Sequence, residues 1–246
     1  MIPTWRLIEA DVRAGLAQLP DASAHCVVTS PPYWGLRDYG VAGQLGLEAT
    51  PEQYVAAMVG VFRDVRRVLR PDGTLWLNLG DSYASSGRGE GGAGIHSTKQ
   101  TTNRGAYFDS RGLDRRAVTE SGLKPKDLVG IPWHVAFALQ ADGWWLRSDI
   151  IWSKPNPMPE SVTDRPTKAH EYLFLLAASE QYYYDAAAIA EPATHAGRVL
   201  DYTGDQKAND ADPVRERTTP RGRKITVAET RNARTVWTIP TEPYAG

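Results

Sequence analysis

The chain has 246 residues, 41% of them hydrophobic and 23% charged, and a formal net charge of -1. That length supports one large domain or two small ones around a proper core, and the near-neutral charge makes any nucleic-acid surface local rather than global. One cysteine and five scattered histidines exclude a disulfide framework and a cysteine-rich zinc site, and no apolar run approaches the roughly 18–20 residues that span a bilayer. The opening Met1-Ile2-Pro3-Thr4-Trp5 lacks the charged-then-apolar layout of a signal peptide, so a cytoplasmic protein with no membrane anchor and no metal is expected.

Trp5 to Ala10 reads as a strand and Val12 to Leu19 as a short amphipathic helix stopped by Pro20. Asp11 between them has two readings: an N-cap that accepts orphan helix N–H groups, or a carboxylate facing a ligand at a strand end. His25 to Thr29 is the next strand, buried, with Cys26 as core rather than nucleophile. It runs into Thr29-Ser30-Pro31-Pro32-Tyr33-Trp34. Two consecutive prolines cannot continue a strand ladder, and each pushes the residue before it into extended geometry. The result is a stiff corner at a strand's carboxyl end, where open α/β sheets hold their ligands.

Gly35 to Glu48 is a loop, followed by a clear helix start: Thr50 as N-cap, Pro51 at the first position and Gln53 at the capping-box position. Apolar residues at 54, 55, 58, 61, 62, 65, 68 and 69 hold helical period. Arg70-Pro71-Asp72-Gly73 turns the chain into a buried strand, Thr74 to Leu79. Residues 84–126 carry eight Lys and Arg against four Asp and Glu, are rich in Gly, Ser and Thr, and read as an inserted loop. Gly87-Arg88-Gly89-Glu90-Gly91-Gly92 formally matches a dinucleotide fingerprint but lacks the flanking strand and helix, so it is discarded.

Ile131 to Ala141 is a helix broken by Asp142-Gly143, and residues 144–152 are a long strand starting near Trp145. A second proline-stiffened loop covers 153–159. Glu171 to Ala177 and Gln181 to Tyr184 read as two antiparallel strands around Ser179-Glu180. The polar stretch 196–234 holds the basic run Arg215, Arg217, Arg221, Arg223 and Lys224, and Thr235 to Ile239 is a last strand. The basic run suits either a solvated loop or phosphate contact. Trp144-Trp145 and Tyr182-Tyr183-Tyr184 are read as core before they are read as stacking platforms.

At the corner, the Ser30 hydroxyl and the Pro31 carbonyl are acceptors on adjacent rigid residues. Two acceptors can grip the two N–H donors of a base's exocyclic amino group and draw its lone pair out of the ring. Tyr33 offers a face for the base, a contact worth roughly 1–3 kcal/mol. A base gripped in this way has left its duplex. Ser30 has no His-Asp relay in view, so a serine-hydrolase reading is poor.

Four blocks in order carry a resemblance. They are Glu9-Ala10-Asp11 with Leu16, Leu19 and Pro20; Thr29-Ser30-Pro31-Pro32-Tyr33; helix 51–69 through Leu69-Arg70-Pro71-Asp72-Gly73-Thr74 to Asn78; and Gly143-Trp144 to Trp152, Lys154 and Pro155 with Glu171-Tyr172-Leu173-Phe174. Together they resemble the β-class amino-DNA methyltransferases, the DNA methylase N-4/N-6 family. The resemblance implies an α/β fold: a Rossmann-like class I methyltransferase sheet with antiparallel strands at its later edge. It implies S-adenosylmethionine as methyl donor and duplex DNA with a flipped target base as substrate. Ser30, Pro31, Pro32 and Tyr33 would be catalytic; Asp11, Thr29 and Ser30 would lie at the methyl donor. Residues 1–184 would form the catalytic domain and 185–234 the target-recognition segment, with Arg215, Arg217, Arg221, Arg223 and Lys224 on DNA.

The chain has no Phe-x-Gly-x-Gly turn, through which the family binds its donor. A truncated or split enzyme is therefore expected, with 235–246 as the start of a missing half and the sheet incomplete at its C-terminal end. Serine at position 30 is commoner in the family's cytosine-N4 enzymes, so the resemblance favours cytosine N4 over adenine N6. A fragment that only binds DNA, and an RNA or protein amine methyltransferase, are the competing readings. A cognate restriction enzyme or a complementing C-terminal half is the expected partner.

Overall fold

The structure, a computed structural model, describes residues 5–84, 122–124, 126–201 and 224–241. Most of the insertion, its Gly-rich stretch 87–92, and Arg215, Arg217, Arg221 and Arg223 lie outside the described residues. Helix α1 (Val12–Ala17) precedes strand β1 (Ala24–Thr29), helix α2 (Pro51–Val68), strand β2 (Leu69–Leu79), helix α3 (Ile131–Ala141) and strands β3 (Trp145–Ser153) and β4 (His170–Ala177). Four short strands follow, β5 (Glu191–Pro192), β6 (Val199–Asp201), β7 (Lys224–Thr226) and β8 (Thr230–Arg231), and β9 (Val236–Thr238) comes last.

Two compact units result. In the first, residues 1–183 and 235–246, five strands pair in the order β1-β2-β4-β3-β9. β1 is parallel to β2 and β9 is parallel to β3, while β4 is antiparallel to both neighbours. The reversed strand therefore sits inside the sheet, between strands that share one direction. In the second unit, residues 184–234, β5 pairs with β8 and β6 with β7, both antiparallel.

The helical period written into 51–68 puts Tyr54, Met58, Phe62 and Val65 on one buried face. That face meets Leu75, Leu77 and Leu79, the alternate residues of β2, and their cross-strand partners Phe174 and Leu176 on β4. Ile131, Val135 and Leu139 of α3 complete the cluster. Each large side chain taken fully out of water contributes about 1.5–3 kcal/mol. The helix ends are settled as their residues dictate. Thr50 accepts from the Gln53 N–H at 3.3 Å, and Arg66 and Arg67 stand in the last turn of α2, where cations oppose the helix dipole.

Four expectations need correction. Residues 5–10 form no strand, and Trp5 and Leu7 are exposed. An extended segment becomes a strand only with a ladder to join, and β1 makes its ladder with β2. β1 itself is not buried: Cys26 is exposed and Val28 is 77% exposed. It is the outermost strand on its side of the described sheet, and these alternate residues point away from the helices. Residues 181–184 form no strand either. Both edges of β4 are already taken by β2 and β3, so no edge is left for a fold-back partner. Instead the chain leaves β4 toward the β2 bulge, where Ala178 N–H bonds Gly73 O and Tyr183 N–H bonds Asp72 O. Finally, Arg70-Pro71-Asp72-Gly73 lies within β2 rather than before it. The pairing jumps from Ala24–Leu69 to Cys26–Thr74, so these four residues bulge out of the ladder.

Candidate functional site

The Ser-Pro-Pro-Tyr corner leaves the carboxyl end of β1, and the register brings three other polar side chains to that same end. Asn78 is the next-to-last residue of β2, Glu171 the second residue of β4, and Lys154 the first after β3. Because β4 runs backwards, its first residues share a sheet end with the last residues of β1, β2 and β3. Trp152 pairs with Glu171 and Asn78 with Leu173.

A continuous polar network follows. Ser30 Oγ is 3.2 Å from Asn78 Oδ1 and 3.3 Å from Tyr33 Oη. Tyr33 Oη is 2.8 Å from Asn78 Oδ1 and 2.7 Å from Glu171 Oε2. Asn78 Nδ2 donates to the Tyr172 carbonyl at 3.2 Å, and Lys154 Nζ bonds the other carboxylate oxygen of Glu171. Lys154 also lies over the Trp152 ring, 4.5 Å from its centroid.

The corner is braced from behind. Tyr54 Oη donates to the Pro32 carbonyl at 2.9 Å, Trp34 Nε1 donates to the Glu48 carbonyl at 2.9 Å, and Ser82 Oγ donates to the Trp34 carbonyl at 3.1 Å. Gly80 faces the Tyr33 ring so closely that a Cβ there would lie 2.4 Å from a ring carbon. Only glycine lets the ring occupy that place.

Burial raises the Tyr33 hydroxyl above its ordinary pKa; the Ser30 hydrogen bond opposes this, and Glu171 adds to it. Burial also works against ionisation of Glu171. Its hydrogen bonds from Lys154 and Tyr33 overcome that and hold the carboxyl below the usual range. Burial lowers the Lys168 ammonium, which donates to the Asp81 carbonyl at 3.3 Å.

Ser30, Pro31, Pro32 and Tyr33 thus stand together at the sheet end, with Thr29 as the last residue of β1. Ser30 is exposed, whereas Tyr33 is half-buried with its hydroxyl tied down. Asp11 stands before α1, where one carboxylate oxygen accepts from the Arg13 N–H at 2.9 Å and caps the helix. Lys224 opens β7 in the second unit and is exposed. Asn78, Lys154 and Glu171 are site residues that sequence reading did not pick out. The available signal was position alone, a polar residue at the end of an otherwise apolar strand. Among the described residues no group of three His, Cys, Asp or Glu could hold a metal ion, and no helix is long and apolar enough to cross a membrane.

The DNA methylase model for N6 and N4 enzymes matches residues 24–245. The chain belongs to that DNA methylase family. It is 47% identical over 241 residues to the Type II methyltransferase M.SmaI of Serratia marcescens, covering 98% of this chain and 68% of that protein. It is 46% identical over 240 residues to M.XycI of Xanthomonas campestris pv. cyanopsidis, covering 98% and 66%. The chain therefore spans about two thirds of the length of these relatives. Among solved structures, the PvuII DNA methyltransferase, described as cytosine-N4-specific, is similar at a TM-score of 0.44 and 16% identity, over 70% of this chain and 48% of that one.

Proposed function

We propose that this DNA methylase chain grips the target base in a Type II amino-methyltransferase reaction that methylates the exocyclic N4 of cytosine in duplex DNA. The observation that supports this most directly is the oxygen-rich cluster at the end of β1. Ser30 Oγ is exposed there, backed by Asn78 Oδ1 and Tyr33 Oη. The resemblance to the family, in which serine at the first corner position is commoner among cytosine-N4 enzymes, supports cytosine; adenine N6 presents the same two N–H donors and is the alternative substrate.

The family's methyl donor, S-adenosylmethionine, supplies when bound a methyl group on a positively charged sulfur. The residues present fit its neighbourhood only in part. Thr29 ends β1 and Ser30 follows it at the site, while Asp11 caps α1 through one carboxylate oxygen and keeps the other. The work of this chain is on the base. Ser30 and the Pro31 carbonyl accept the amino group's N–H donors, which leaves the nitrogen lone pair free for in-line displacement. With the donor bound, the N–C bond would form as the donor's methyl–sulfur bond breaks to leave a neutral thioether, and the nitrogen would then shed one proton to water. The unit of residues 184–234 is the target reader, with Arg215, Arg217, Arg221, Arg223 and Lys224 meeting phosphates. The protein works in the cytoplasm and protects sites from a cognate restriction enzyme.

Mass spectrometry of nucleosides tests this, on unmethylated genomic DNA treated with the protein and S-adenosylmethionine. N4-methylcytosine is expected, and N6-methyladenine would move the assignment to adenine. Duplex binding with no methylated nucleoside would make the chain a DNA-binding fragment, and methylation of RNA alone would overturn the reading.

A further inference from the structure

Tyr33 Oη has one proton and two acceptors within reach, Glu171 Oε2 at 2.7 Å and Asn78 Oδ1 at 2.8 Å. A carboxylate takes a hydroxyl proton in preference to an amide oxygen, because a charge-assisted hydrogen bond is about twice as strong as a neutral one. Lys154 Nζ on the second carboxylate oxygen keeps Glu171 ionised, and both side chains of this pair are about four-fifths shielded from solvent, at 19% and 18% relative exposure. The Tyr33 proton therefore goes to Glu171. Asn78 cannot supply a donor toward the hydroxyls, because its Nδ2 is committed to the Tyr172 carbonyl and its Oδ1 faces Ser30 and Tyr33. With the Tyr33 proton on Glu171, the Ser30 proton has two inward acceptors, Asn78 Oδ1 at 3.2 Å and Tyr33 Oη at 3.3 Å. With its proton turned inward, Ser30 presents lone pairs to the open side of the site.

We propose that Glu171, held by Lys154, is a positioning residue: it fixes the direction of the hydrogen bonds through Tyr33 and Asn78 so that Ser30 only accepts. The corner thereby selects a base carrying an amino group over one carrying a carbonyl at the same position. This rests on the reading of the corner as a clamp for a base amino group. Without the carboxylate, the Tyr33 proton can turn to Ser30 Oγ at 3.3 Å, the order of donors and acceptors is no longer fixed, and the Ser30 proton is free to serve a carbonyl as readily as its lone pairs serve an amine.

The test compares short single strands of deoxycytidine and of deoxyuridine, which differ in the group on C4 and the proton on N3 and need no flipping. Binding is read by competition against a fluorescent strand. Wild type is expected to favour deoxycytidine by about tenfold or more, since two facing acceptors leave a polar pair unsatisfied. In Glu171→Gln the ratio falls toward one, read at a temperature where the variant is still fully folded. Lys154→Met, which removes the partner that keeps the carboxylate charged, moves the ratio the same way and carries the test should Glu171→Gln fold poorly. Glu171→Asp, which keeps the charge, retains part of the preference. An unchanged ratio in Glu171→Gln and Lys154→Met would overturn the positioning role alone. Equal binding of both strands by wild type would overturn the clamp reading itself, and this inference with it.

Discussion

Tyr33 Oη and Glu171 Oε2 meet at 2.7 Å although 138 positions separate them in sequence. The contact ties the first strand of the sheet to its reversed strand at the end where the corner opens. A Tyr33→Phe substitution keeps the ring and removes this link together with the hydroxyl's contacts to Asn78 and Ser30. Methyl transfer is expected to fall about 100-fold, the cost of a reacting group displaced by about an ångström, with duplex binding retained. Ser30→Ala is expected to do at least as much, since it deletes an acceptor of the clamp. Nucleoside mass spectrometry beside a gel-shift assay reads both; wild-type rates in either variant would remove the corner from the chemistry.

How much of this could be read from residues alone divides along physical lines. The corner was legible because two prolines leave a strand no choice, and α2 because Thr50, Pro51 and the apolar period agree with one another. Residues 181–184 misled because tyrosines suit strands, yet strand formation needs a free edge and β2 and β3 had taken both edges of β4. The burial of β1 was overstated for the same kind of reason: a short apolar run does not say how many of its faces will be covered. Asn78, Lys154 and Glu171 were quoted as landmarks without a role, because their convergence depends on the register of three strand pairs. Asp11 carried two readings, and the carboxylate's bond to the Arg13 N–H is the capping one.

Gly80→Ala tests the ring's seat. The added Cβ would stand 2.4 Å from one Tyr33 ring carbon and 2.7 Å from another, so the ring must move. Overpacking of this kind costs about 1–3 kcal/mol. The expected signature is a modest fall in melting temperature with a loss of activity far larger than the stability change explains. Full activity with an unchanged melt would show that the ring yields freely.

The pH dependence follows from Glu171, whose folded pKa lies below its unfolded value. Between the two values the unfolded chain binds more protons, so stability rises with pH across that window. The contribution is complete above the ordinary glutamate pKa of about 4.3 and is lost as pH falls through the folded value. Asp72, Asp142, Asp164 and Glu191 are also lowered, chiefly by hydrogen bonds from Arg70, Arg63, Lys126 and the Arg234 backbone respectively. They titrate alike in wild type and in Glu171→Gln, so comparing the two isolates Glu171. Melting temperatures of the pair are expected to converge as pH is lowered from about 5 toward 3. Parallel curves over that range would mean that the carboxylate is not held ionised by its neighbours.

Asp81 offers the sharpest stability test. Its Oδ1 accepts from three backbone N–H groups, Ser82 at 2.9 Å, Gly130 at 2.9 Å and Ile131 at 3.0 Å. Gly130 is the N-cap of α3 and has no side chain to cap with, so Asp81 does that work from the end of β2. One carboxylate thus joins the two flanks of the long insertion and satisfies N–H groups that the helix cannot pair itself. Capping residues replaced by alanine cost about 0.5–2 kcal/mol, and three partners put Asp81→Ala at the upper end. In urea the midpoint should fall with the slope unchanged, because the exposed surface on unfolding is the same. Asp81→Asn keeps an acceptor oxygen and is expected to recover most of the loss. A midpoint unchanged in Asp81→Ala would show that α3 is started by its packing against α2 and the sheet alone.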